Sequence, residues 1–205
     1  MDDTRRAVVL ALAATIILSI AFSSVFVYYP IKATIQPVQP PVKLDYGKNA
    51  NGNDLGSTGS QSNKIEVSIG LNNANATITI HPTYEASYYE NVTIIRNTDS
   101  KSYNVTLKVY YTNVSDLPSG SKALLYLFSK GATRSLSGWP SSNLAPAAGS
   151  YLAVLDLTTT GSTDKVVPLS AYDFVEIDIL VYIPEGSTMP TSPVTAKIYL
   201  VYTPS

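Results

Sequence analysis

Residues Ala7–Ile35 read AVVLALAATIILSIAFSSVFVYYPIKATI, a run whose character changes halfway. Its first half, to Ala21, carries no charge, is rich in Leu and Ala, and directly follows Arg5-Arg6. A basic start, an apolar middle and small residues at the end are the layout of a secretory signal that is removed from the mature protein. Two small-x-small triplets, Ser19-Ile20-Ala21 and Ala21-Phe22-Ser23, each suit the cut. Beyond them the residues turn β-branched and aromatic, and Val25, Val27, Tyr29, Ile31, Ala33 and Ile35 recur at every second position. Period two is that of a strand with its apolar side chains on one face. Cleavage therefore leaves a chain that begins with a free hydrophobic strand, and such a strand needs a surface to receive it.

Outward from this run, the sequence divides into a signal peptide (1–23), the strand with a Pro-rich spacer (24–46), a Gly/Asn/Ser-rich loop (47–63) and a β-sandwich domain (64–205). Three prolines in Gln36–Pro41 favour an extended polyproline conformation over a ladder strand. After Asn63 strand signals recur. Ile65, Val67 and Ile69 are followed by the turn Leu71–Ala74 and by Ala76, Ile78 and Ile80, a hairpin pattern. Val92, Ile94 and Arg96 alternate with Asn91, Thr93 and Ile95, and Tyr103–Thr112 alternates cleanly. Ala123–Phe128 is too apolar to be half exposed and reads as a central strand. Shorter strands are expected at Tyr151–Leu157 and Lys165–Leu169. Val175, Ile177, Ile179, Val181 and Ile183 form another inward set, and the closing strand Val194–Thr203 turns Ala196, Ile198, Leu200 and Tyr202 inward. About nine or ten strands and no helix in the mature chain predict an all-β protein, a jelly-roll-like two-sheet sandwich.

Charged residues make up 14% of the chain and the net charge is −1, so neither nucleic acid nor an anionic membrane surface is expected as a partner. Cysteine is absent, so resistance outside the cell must come from packing, assembly or glycans. The single histidine, His81, has no cysteine or carboxylate beside it in sequence and reads as a turn residue rather than a base or ligand. Asp173, Glu176 and Asp178 form the densest acidic cluster, with Glu176 and Asp178 on one strand face. A calcium site is one reading and a solvated outer face the plainer one. No catalytic residue, metal ligand or cofactor is expected, and the protein does not read as an enzyme. Four Asn-x-Ser/Thr triplets mark candidate glycosylation sites at Asn75, Asn91, Asn104 and Asn113. In strand register Asn91 and Asn104 fall opposite the apolar faces, where a glycan is solvated.

The leading strand has two destinations, its own sandwich or a groove in the next subunit. The spacer and the long polar loop hold it away from the body and favour the neighbour. Burying its six apolar side chains at ~1.5 to 3 kcal/mol each stabilises a junction by about 10 kcal/mol before ordering costs. The layout resembles archaeal bundling pilins and the related TasA/camelysin-type biofilm fibre subunits of bacteria. That resemblance is carried by the signal running into Val25-Phe26-Val27-Tyr28-Tyr29-Pro30, and by Val92–Thr98 leading into Asn104–Tyr111. The late strand Val175–Pro184, followed by a closing strand to Thr203, completes it. It implies a cell-surface, extracellular homopolymer built head-to-tail by donor-strand complementation, with fibres bundling laterally and membrane contact only through the uncleaved precursor. Val25, Val27, Tyr29, Ile31, Ala33 and Ile35 are then the donor residues. Two other readings compete. One is a type IV pilin that keeps residues 8–29 as a core helix. The other is a membrane-anchored or secreted surface binding module, for instance one using exposed Tyr and Trp139 on carbohydrate.

Overall fold

A computed structural model of the protein describes residues 2–21, 32–33, 39–50, 65–73, 75–80, 85–112, 117–134, 151–161, 165–190 and 196–205. The chain divides into two compact units, Met1–Val38 and Gln39–Ser205. The first holds one α-helix, α1 (Asp3–Ala21). Leu and Ala are strong helix formers, and Asp3 in the first turn complements the positive end of the helix dipole. Among the described residues no helix is long and apolar enough to cross a membrane. Lys32 and Ala33 are exposed and belong to no strand. Of the expected donor residues, Val25, Val27, Tyr29, Ile31 and Ile35 lie outside the described residues.

The second unit is all-β. Its strands are β1 (Val42–Tyr46), β2 (Ile65–Ile69), β3 (Ala76–Ile80), β4 (Glu85–Asn97) and β5 (Tyr103–Thr112). They continue with β6 (Lys122–Ser129), β7 (Ala153–Asp156), β8 (Val167–Leu169), β9 (Phe174–Ile183) and β10 (Ala196–Pro204). A five-stranded antiparallel sheet runs in the order β1-β4-β9-β6-β7. Opposite it lie a three-stranded sheet, β10-β5-β8, and the separate hairpin β2-β3. One core joins all three. Val92, Ile95, Leu125, Leu127, Ile177 and Ile179 on the large sheet pack with Val105, Leu107, Val109, Val167, Ile65 and Val67 of the smaller ones.

Most strands follow the sequence pattern. β5 buries Tyr103, Val105, Leu107 and Val109 and turns Asn104, Thr106 and Lys108 away from the core. β6 lies between β9 and β7, as its apolar run requires. Three expectations need correction. Val42–Tyr46, assigned with the spacer, is the edge strand β1 of the large sheet, paired with β4 from Val42↔Asn97 to Tyr46↔Thr93. The second concerns Asn91 and Thr93, expected on a solvated face but buried at 5% and 1% exposure. β4 is thirteen residues long and its register with β9 shifts between Tyr89 and Thr93. An irregularity there displaces the alternation, and Asn91 takes a positive φ of 49° within it. The third concerns Glu176 and Asp178. They do not form a solvated outer face, because β9 is buried on both sides and these carboxylates are 3% and 0% exposed.

Candidate functional site

Two places in the sandwich differ from an ordinary packed core. The first is the second layer. Gly161, after β7, and β8 both lie along one edge of β5: Gly161 N donates to Val109 O at 2.8 Å, and β8 pairs with Tyr103–Val105. β10 therefore occupies the other edge of β5, and its own second edge pairs with no strand among the described residues. The hairpin sits at the opposite flank, with β2 beside β1 and β4. Asn73 Nδ2 donates to Leu44 O at 3.0 Å and anchors its turn. Among the described residues the layer is thus two pieces with no ladder between them. Coverage follows this break. The inward residues of β5 are 0–6% exposed, whereas Ala196, Ile198, Leu200 and Tyr202 of β10 are only half-buried against the same core. Ile78 and Ile80 of β3 are half-buried too.

The second place is the far face of the large sheet. Tyr88, Tyr126, Phe128 and Leu180 form a small second core, with Tyr151 packed edge-on against Tyr126 at 5.1 Å. Beside it Arg134, from the segment after β6, enters with its side chain 4% exposed. Its guanidinium makes a fork to Asp178, Nε to Oδ2 and Nη2 to Oδ1, both at 2.8 Å. Nη1 donates to Glu176 Oε2 at 2.7 Å and to Ala132 O at 2.6 Å. The group stacks over the Phe128 ring at 4.3 Å. Asp178 also accepts from Asn91 N at 2.7 Å and from the Tyr88 hydroxyl, and Glu176 accepts from Gly131 N. Burial opposes the charge on Arg134, but the hydrogen bonds and charges of Asp178 and Glu176 outweigh it and hold its pKa above the usual value. Burial, reinforced by Asp178, raises the Tyr88 phenol well above its ordinary range. The carboxylates that read as calcium ligands are thus satisfied by a guanidinium fork. Among the described residues no group of acidic or histidine side chains is arranged to hold a metal.

The glycosylation candidates separate clearly. Asn104 is half-buried on the face of β5 turned away from the core, and Asn75 is exposed after the hairpin turn. Asn91 is enclosed: its Oδ1 accepts from Lys48 N, and its carbonyl accepts from Asn49 N at 3.1 Å. Gly47 lies so close that a Cβ there would stand 2.0 Å from the Asn91 carbonyl oxygen. Asn113, His81 and Trp139 lie outside the described residues. Asp173 keeps its carboxylate local, accepting from Phe174 N at 2.9 Å.

Sequence reasoning missed Arg134. The available signal was two carboxylates on a strand whose neighbours are apolar, since burial of such a pair demands a cation. Which cation answers is a long-range fact, 42 and 44 residues away. The chain matches no protein-family model and no curated protein.

Proposed function

We propose that this protein is the structural subunit of an extracellular filament, a jelly-roll-like sandwich exported through its N-terminal signal. It polymerises head-to-tail when Val25–Ile35 of one copy completes the sandwich of the next. One observation carries the reading: a segment that alternates in apolar residues, Val25–Ile35, follows the signal-like run, while among the described residues the second layer of the sandwich is discontinuous and covers its inward side chains incompletely. A strand with six apolar residues and a layer short of cover are complementary in the manner of strand addition to a sheet edge. Glycans on Asn75 and Asn104 suit the exported setting, because neither side chain is enclosed as Asn91 is.

The test is deletion of residues 25–35 from the exported protein. The expected result is a folded sandwich, by circular dichroism, that forms no filaments in negative-stain images. Normal filaments from the deleted chain overturn the reading. Mass spectrometry of the mature terminus separates the type IV pilin, which the helix Asp3–Ala21 favours. A first residue of Phe22 or Ser24 fits strand donation. Ala7 or Val8 means that the helix is kept.

A further inference from the structure

We infer that Asn104 carries an N-linked oligosaccharide, and that this sugar lies across the outer face of the sheet β10-β5-β8 as its cover. The inference rests on the export half of the filament reading and not on strand donation. Asn104 belongs to β5, the middle strand of that sheet, and is turned away from the core. The strand period splits the acceptor triplet: Val105 is buried at 0% exposure, while Asn104 and Thr106 stand side by side on the outer face. Their neighbours on that face are apolar. Towards β10, Thr106 is opposite Val201, which is 50% exposed, and Tyr199, next on the same face, is 54% exposed. Towards β8, Asn104 is opposite the exposed Pro168, and Val166, two residues earlier, is 59% exposed. Apolar side chains exposed together on one face mark a surface that something meets.

The occupant follows from the acceptor standing in the middle of these side chains. A glycan on Asn104 Nδ2 is tethered there, so it meets its neighbours without the loss of translational freedom that a separate partner suffers. Opposed residues of an antiparallel pair have Cβ atoms about 4.5–5.5 Å apart and diagonal ones about 7–8 Å, so the first sugars reach Pro168 and Val201 and later ones reach Tyr199. The C–H faces of the sugar rings pack on these side chains while their hydroxyls stay in water. Asn91, by contrast, is enclosed by Lys48, Asn49 and Asp178, and Asn75 follows the turn of the separate hairpin. In the attachment step Asn104 Nδ2 bonds to the anomeric carbon of a glycosyl phosphate donor presented by a host transferase. The anomeric C–O bond breaks, the phosphate leaves with its electron pair, and the amide gives up one proton; nothing is oxidised or reduced.

The test starts from the protein as its own cells export it, with its peptides weighed by mass spectrometry. The Asn104 peptide is expected to carry an added oligosaccharide mass and the Asn91 peptide none. Hydroxyl-radical footprinting then reads the cover, comparing chains with and without the sugar in the same assembly state. With the sugar present Tyr199 should oxidise roughly threefold more slowly, while Tyr172, 69% exposed between β8 and β9, reacts equally in both. Asn104→Gln and Thr106→Val remove the sugar through different side chains. Thr106→Ser keeps the acceptor triplet and should keep both sugar and protection. An exported chain bare at Asn104 overturns the inference and leaves filament formation standing. A sugar at Asn104 with equal oxidation of Tyr199 in both forms overturns the cover. Protection that persists without the sugar and grows with protein concentration assigns the face to a second copy and overturns it too. A chain that is never exported removes the reading beneath both.

Discussion

The two layers of this sandwich are finished to different degrees. The five-stranded sheet is covered by the main core on one face and, over its middle strands, by the Arg134 cluster and the Tyr126–Phe128–Tyr151 group on the other. Among the described residues the opposing layer is two fragments, and along β10 the alternation that buries Tyr103, Val105, Leu107 and Val109 of β5 yields only half cover. Both strands have the same sequence signature. Alternation states which face is inward; the number of neighbours beside that face decides how far water is excluded.

The largest expected effect comes from breaking the closed layer at its pin. Arg134→Ala leaves Glu176 and Asp178 buried without their cation, and a broken buried pair of this kind costs about 3 to 5 kcal/mol. Urea unfolding of the unassembled chain should register that loss as a lower midpoint. A loss under about 1 kcal/mol would mean that the cluster is hydrated and that the sheet is closed on one face only.

A smaller effect sharpens the contrast directly. Leu107 of β5 is 3% exposed and its partner across the ladder, Leu200 of β10, is half-buried. In the unassembled chain Leu107→Ala should cost about 2 to 5 kcal/mol, and Leu200→Ala roughly half as much, because fewer neighbours lose contact. In filaments the second value should rise toward the first, read as the denaturant concentration that releases subunits. Equal costs in both states would mean that nothing new covers Leu200.

Much of the sandwich was legible because most of its strands obey local rules. Tyr103–Thr112 and Ile65–Ile69 appear with the expected bounds, and the central place of β6 follows from its apolar run. Val42–Tyr46 was not legible as a sandwich strand, since five residues with Lys43 and Asp45 give too little apolar pattern to stand out from the spacer. Asn91 failed for a different reason. The period-two rule places it opposite Val92 but does not say what covers that face, and Asn91 is enclosed by Lys48, Asn49 and Asp178 at the irregularity in β4. The break beside β10 could not be read at all, because strand order is a property of non-local pairing, while each strand's pattern is local.

Two tyrosines complete the contrast with the smallest effect. Tyr126, on the closed sheet, and Tyr103, on the broken layer, are both pushed up to about 12, for different reasons. Burial is the main cause at Tyr126, with Tyr151 adding to it. At Tyr103 the cause is first the hydrogen bond to Asp99 Oδ2 at 2.6 Å, then burial. A phenol whose folded pKa lies above its ordinary value of about 10 adds stability that is complete below that value and is lost as pH rises from about 10 through about 12. The two contributions should therefore fade over the same alkaline window. Asp99→Asn separates them, because it removes the charged acceptor and leaves the burial of Tyr126 untouched. Phenolate absorbance against pH should then show one tyrosine moving down toward 10 and the other staying near 12. Should both move together, the layers are coupled through the core, and the incomplete cover along β10 is felt across the whole sandwich.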